Sequence, residues 1–285
     1  MMTLSGLVLA AVYMLGGDAG LSLGGRVAIV EIDGVIDDDR KVLDEMRQFR
    51  RDASVKGYLV HINSPGGSVG PSQSIYRELR RARVEDSVPV VATIAAVGAS
   101  GGYYIALAAD SIFALPGSIT GSIGVIMEIP DASELMDKVG VRWQTVKSAE
   151  HKDVGSPFRP MTEGDRAILD SLVLDVYGQF VEVVAADRKL PRSSVERVAD
   201  GRILSGRQAL SLRLIDRLGN REDALRTVGR MAGLGEEPRT VRPPEERLRL
   251  IDILLGRSAA SALTRLVAPL ERSAAVPRLM FVVPR

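Results

Sequence analysis

The fold turns on residues 88–110, VPVVATIAAVGASGGYYIALAAD. An apolar, β-branched run, VVATIAAV (90–97), breaks at Gly98-Ala99-Ser100-Gly101-Gly102 and continues as GGYYIALAA (101–109). A run that is apolar on both faces reads as a strand buried on both sides, and a glycine-rich break before a helical pattern reads as a tight strand-to-helix turn. Outward from it, further short apolar runs predict strands at Val27–Ile36, Gly57–Asn63, Val88–Ala95, Ser111–Leu115 and Trp143–Val146. Helical patterns lie between them at Arg40–Arg51, Pro71–Arg83, Gly101–Ala108 and Ser133–Lys138. Buried strands alternating with helices predict an α/β domain with a largely parallel sheet.

Past residue 160 the pattern becomes helical. Thr162 is placed to N-cap a long helix towards Arg188, with Ile168, Leu169, Leu172, Leu174, Val176, Phe180 and Val183 along it and Pro191 as its stop. Residues 200–216 read as an exposed turn, a short helix and a brief strand. From about Leu234 the chain becomes linker-like, and Leu248–Leu270 carries leucine and isoleucine with interspersed arginines, a stripe expected to pack on the domain or on a neighbouring subunit.

Composition excludes several chemistries. With 37 basic against 36 acidic residues the net charge is +1, which gives no bulk electrostatic case for nucleic acid. There is no cysteine, so disulfides, thiolate metal sites and cysteine nucleophiles are absent together. The first 17 residues, MMTLSGLVLAAVYMLGG, carry no charged side chain. As a helix they would reach roughly 25 Å, the lower edge of a membrane span, and we expect an anchor.

Ser100 is the candidate nucleophile: small neighbours let the turn close sharply and leave Oγ presented, with the Gly101 N–H at a helix start. Asn63-Ser64-Pro65-Gly66-Gly67-Ser68 also joins a strand to a helix, and its glycines can turn backbone N–H groups towards an oxyanion. A serine needs a base, and the chain has two histidines. His61 falls inside a predicted strand, and His151 is far from the C-terminal position that an α/β-hydrolase histidine takes. A lysine whose ordinary pKa of about 10.4 is lowered by burial can serve instead. Lys138, Lys147 and Lys152 are the downstream lysines before the long helix; Lys138 reads as solvated, and spacing does not choose between the other two.

Three motifs in order, NSPGGS (63–68), VGASGGYYIALAADSIFALPGSITGSIGVIM (97–127) and KSAEHKDVGSPFRPMT (147–162), resemble the short bacterial signal peptide peptidases of the SppA type, serine peptidase family S49. The similarity runs from about Val27 to Arg230. The resemblance implies a ClpP/crotonase-like fold of repeated ββα units with an additional C-terminal helical region. It implies Ser100 as nucleophile, Lys152 as general base, Ser122 as the hydroxyl orienting that lysine, and Gly67 and Gly101, with Gly66 beside them, as the oxyanion hole. ClpP relatives place a histidine about where Val125 stands, which agrees with a lysine base here. The resemblance further implies a homo-oligomeric ring in which serine and lysine meet across a protomer boundary, peptide substrates in the form of cleaved signal peptides, small apolar subsites, no metal and no cofactor. It also implies a cell-membrane location with the catalytic domain outside the cytoplasm. The expected organisation is residues 1–17 as anchor, 18–235 as peptidase domain and 236–285 as a tail with an amphipathic helix. Other functions compatible with these motifs are a related peptidase acting on a membrane partner protein, an acyl-CoA enzyme on the same fold, and a non-catalytic assembly protein.

Overall fold

A computed structural model of the chain describes residues 24–243 and 280–282. The N-terminal apolar segment and Leu248–Leu270 lie outside these residues. Among the described residues, no helix is long and apolar enough to cross a membrane.

The architecture is the expected α/β class. β1 (Arg26–Ile36), β2 (Val55–Ser68) and β3 (Val90–Ala99) pair in parallel, with β2 in the middle. β3 is long enough to pair twice, with β4 (Ser111–Ala114) along Val91–Ile94 and with β5 (Ile119–Gly121) along Val97–Ala99. β6 (Ile203–Ser205) runs antiparallel on β5, and β7 (Arg217–Leu218) extends β4. β8 (Thr240–Val241) pairs with β1, and β9 (Met280–Val282) lies antiparallel on the end of β2. The sheet therefore takes in residues beyond position 235.

Both faces of the sheet are apolar because both are covered. On one side Val27, Leu59, Val91 and Phe113 pack against Ala224 and Val228 of the helix Arg221–Met231. On the other, Ala28, Val30, Val60 and Ala92 join the larger core under α1 (Arg40–Arg51), α2 (Val69–Val84), α3 (Gly101–Ala106) and a long helix, Glu163–Arg188. In register, the alternation of side chains across a strand gives each layer its own set of residues.

Helix boundaries follow their local chemistry. α4 (Ser133–Lys138) occupies its predicted span. The long helix, α5 (Glu163–Arg188), starts at Thr162, whose Oγ1 accepts from the Asp165 N–H at 3.1 Å while Asp165 accepts in return. It stops where Lys189 turns left-handed, φ 52°, two residues before Pro191. Its burial is uneven: Val176, Phe180, Val181 and Val184 are buried, whereas Ile168, Leu172 and Leu174 are exposed. α6 (Arg192–Glu196), α7 (Gly206–Ser211) and α8 (Arg221–Met231) complete the helices of the described residues.

One expected strand is corrected. Trp143–Val146 is irregular, Val146 is fully exposed, and the segment pairs with no strand among the described residues. Its apolar run comes from display at the surface, with the Trp143 ring stacked on Phe158 at 4.3 Å. It belongs to an arm, residues 127–162, held to itself by the Ala132 N–H donating to the Pro157 carbonyl at 2.7 Å.

Candidate active site

The β3–β5 pairing brings two separate motifs together. Val97, Gly98 and Ala99 lie opposite Ile119, Thr120 and Gly121, so the next residues along, Ser100 and Ser122, leave the sheet side by side. The Ser100 N–H donates to the Gly121 carbonyl at 2.8 Å, and the Ser122 N–H donates to the Arg202 carbonyl at 2.8 Å. Both serines have φ 51°, in the left-handed region that non-glycine residues avoid. Such backbone costs of order 1–3 kcal/mol and persists where the surroundings impose it. Here β5 and the helix α3, whose Tyr104 N–H donates to the Ser100 carbonyl at 2.8 Å, fix the turn from both ends.

The Ser100 side chain is buried, and its Oγ has no hydrogen-bond partner among the described residues. A buried hydroxyl without a partner costs about 1–3 kcal/mol, so a structural role does not account for it.

The glycine loop stands against this turn. Gly66 has φ +103°, and a Cβ there would collide with the Phe281 carbonyl and lie 2.8 Å from the Gly101 nitrogen. A Cβ at Gly67 would collide with the Ile36 carbonyl, while the Gly67 nitrogen is 3.3 Å from where a Cβ on Gly101 would be. Bare backbone at these positions lets the Gly67 and Gly101 N–H groups approach the Ser100 turn together. Two such donors suit a developing oxyanion.

The lysine is elsewhere. Lys152 lies exposed in a 3₁₀ turn, Glu150–Asp153, on the arm, and does not reach Ser100 Oγ within the chain. Lys147 is committed otherwise: its Nζ donates to Asp153 Oδ1 and to the Glu150 carbonyl, both at 2.7 Å. Of the two lysines that spacing leaves open, Lys147 carries a carboxylate partner, Asp153, and Lys152 carries none among the described residues. Asp153 is also clasped by Arg159, which reaches Asp165 at the start of α5. Arg159 first, and Lys147 after it, hold the Asp153 carboxyl well below the usual range; Arg159 does the same to Asp165.

Neither histidine is bonded to Ser100. His151 is exposed beside Lys152. His61 is in the middle of β2, opposite Glu31 and Thr93, and burial, followed by the Arg221 charge, pushes its imidazole down.

Sequence reasoning gave no sign of β9. Met280 exchanges both backbone bonds with Ile126, at 3.1 and 3.2 Å, and Phe281 is fully buried against Tyr104 and Phe180. The short apolar run MFVV (280–283) is the signal for it, masked by an arginine- and proline-rich context.

Comparison with known proteins agrees with this geometry. Residues 82–234 match the model of peptidase family S49. A Synechocystis protein provisionally described as a protease is 40% identical over 232 residues, 81% of this chain and 83% of the relative. One from Methanocaldococcus jannaschii, with the same description, is 38% identical over 69% of this chain and 63% of its own length. An Enterococcus faecium protein provisionally described as the signal peptide peptidase SppA is 39% identical over 64% of this chain and 53% of its own length. The mixed sheet of parallel and antiparallel strands with its helices is consistent with the ClpP-like α/β fold of that family. The chain belongs to peptidase family S49.

Proposed function

We propose that this peptidase is a serine endopeptidase in which Ser100 attacks the peptide carbonyl and Lys152 of a neighbouring copy is the general base. The observation that carries this reading is the pairing of a buried Ser100 Oγ without a partner with a lysine held away from it on an exposed arm. In a ring, one copy's arm lies over the next copy's turn, and the ammonium loses water there. Desolvation favours the neutral amine, which takes the Ser100 proton as Oγ attacks. Gly67 and Gly101 N–H groups hold the oxyanion, Lys152 returns the proton to the leaving amine, and water repeats the cycle on the acyl-enzyme. Ser122, next to Ser100 in register, orients the incoming amine. The substrates are apolar peptides, with membrane-held cleaved signal peptides the class that the resemblance favours. A membrane location and an N-terminal anchor belong to the same reading.

The experiment is hydrolysis of an apolar fluorogenic peptide by the full chain and by Ser100→Ala and Lys152→Ala, each with an unchanged melting temperature. Both variants are expected to lose at least about 10⁴-fold in kcat, because members of such a unit fail together. Ordinary turnover in Lys152→Ala would exclude the lysine mechanism. Reaction of Ser100 with a fluorophosphonate separates this reading from an acyl-CoA enzyme on the same fold.

A further inference from the structure

Ser64 lies near the end of β2, where the glycine loop meets the turn that carries Ser100. In the β2–β3 register it is opposite Gly98, just past a break in the register after Ile62. Beyond the turn, a Cβ on Gly102 would lie 2.9 Å from the Ser64 carbonyl oxygen and 3.5 Å from the Ser64 Cβ. The residue is fully buried, wedged between the end of β3 and the start of α3. It therefore touches the nucleophile turn on both sides of Ser100 while belonging to the glycine loop.

Its hydroxyl has a definite partner. Ser64 Oγ accepts the Gly66 N–H at 3.1 Å in buried surroundings. Pro65 stands between them and has no N–H of its own, so this short turn is closed by the side chain. The consequence lies one residue further on. With its N–H given to Ser64, Gly66 is not a donor for a developing oxyanion, and the loop is left with Gly67. Holding the Gly66 N–H fixes one peptide plane, and Gly66, at φ +103°, sets the next plane, whose N–H is that of Gly67. That plane stands against the helix start: a Cβ on Gly101 would be 3.3 Å from both the Gly66 Cα and the Gly67 nitrogen.

We propose that Ser64 is a positioning residue of the reaction: by holding the Gly66 N–H it sets the glycine loop so that the Gly67 N–H, and not that of Gly66, meets the oxyanion beside the Gly101 N–H. This deepens the reading above and rests on Ser100, Gly67 and Gly101 forming the reaction centre. Ser64 acts through Gly66 and touches no substrate atom. Its removal therefore weakens the transition state, in which the oxygen carries charge, and spares the binding of the peptide itself.

The test uses the full chain, an apolar fluorogenic peptide, and the variants Ser64→Ala and Ser64→Cys. Ser64→Ala is expected to lower kcat about 10- to 100-fold, the scale of a small misplacement of a reacting group, with KM within about twofold of wild type. Inhibition by an apolar peptide aldehyde and by the matching peptide alcohol separates positioning from a loosened fold. The aldehyde carbon bonds to Ser100 Oγ and its oxygen takes the negative charge while the hydroxyl proton passes to the base; the alcohol forms neither bond nor oxyanion. Ser64→Ala is expected to weaken the aldehyde by about the factor lost in kcat and to leave the alcohol within about twofold. Ser64→Cys has nearly the same shape with a weaker acceptor. It is expected to show the same split with at least about a threefold loss in kcat, and it carries the test where Ser64→Ala does not fold. Unchanged kcat in a folded variant, or equal weakening of aldehyde and alcohol, would overturn the role of Ser64 while Ser100-dependent hydrolysis persists in the unsubstituted chain. Absence of any Ser100-dependent hydrolysis would instead remove the reaction centre on which it rests.

Discussion

The sheet around Ser100 and the arm that carries Lys152 are built on opposite principles. Around Ser100 the backbone is fixed by β5, α3 and the glycine loop, while the buried Ser100 Oγ has no hydrogen-bond partner among the described residues. The arm spends its polar bonds on itself, through Lys147, Asp153 and Arg159, and shows Leu135, Val139, Val141, Trp143 and Val146 to solvent. The first half of α5 likewise exposes Ile168, Leu172 and Leu174. Large exposed apolar patches are a common mark of an interaction surface. On the proposed reading, the difference is that between a half-site built within one copy and half of an interface between copies.

The comparison can be broken most forcefully at the glycine loop. Gly67→Ala pushes a methyl into the Ile36 backbone and displaces one of the two proposed oxyanion donors; kcat is expected to fall about 10²–10³-fold, and the melting temperature falls with it. Unaltered kcat would remove Gly67 from the site.

A stability contrast sharpens the same division. Leu79 of α2 is fully buried, and Leu79→Ala is expected to cost about 2–5 kcal/mol in denaturant unfolding. Leu174→Asp, at 64% exposure, is expected to change monomer stability by no more than about 0.5 kcal/mol. It should nevertheless reduce oligomer size in sedimentation and lower peptide hydrolysis with it. A variant that unfolds instead would show that this face is core.

The smallest effect is confined to the arm, and Trp143, the chain's one tryptophan, reports it. Arg159→Ala releases Asp153 from Asp165, and the Trp143 fluorescence is expected to shift while the far-UV circular dichroism of the sheet stays constant. The pH dependence has a definite sign. Both carboxyls are depressed in the folded chain, so their stabilisation is complete above the ordinary aspartate value of 3.8 and is lost only as pH falls through their lower folded values. The wild-type Trp143 signal should therefore be flat from neutral pH to about pH 4 and change only below it.

Much of this was legible in the sequence where local rules and tertiary demands coincide. The Ser100 turn, the Thr162 cap, α1 and the parallel sheet follow from apolar runs, capping residues and glycines, because each is decided by its immediate neighbours. Trp143–Val146 misled because an apolar run has the same signature whether it is covered by the sheet or displayed at the surface. The end of β2 exceeded its predicted limit because Asn63–Ser68 is held extended by β1 and β9, which override the turn preference of Pro65-Gly66. β9 itself was hidden because three residues gain strand structure only from the partners they meet. Spacing alone left Lys147 beside Lys152; among the described residues Lys147 meets the Asp153 carboxylate six residues on, a contact that spacing does not show.

The central claim is that the base comes from another copy of the chain, and mixing tests it directly. Ser100→Ala and Lys152→Ala proteins, each inactive alone, are to be dissociated, combined in equal amounts and reassembled before assay. Random assembly places an intact serine beside an intact lysine from its neighbour at about a quarter of the sites. The account therefore expects roughly a quarter of wild-type hydrolysis from two inactive proteins. A mixture that forms mixed oligomers yet stays as inactive as its components would contradict it.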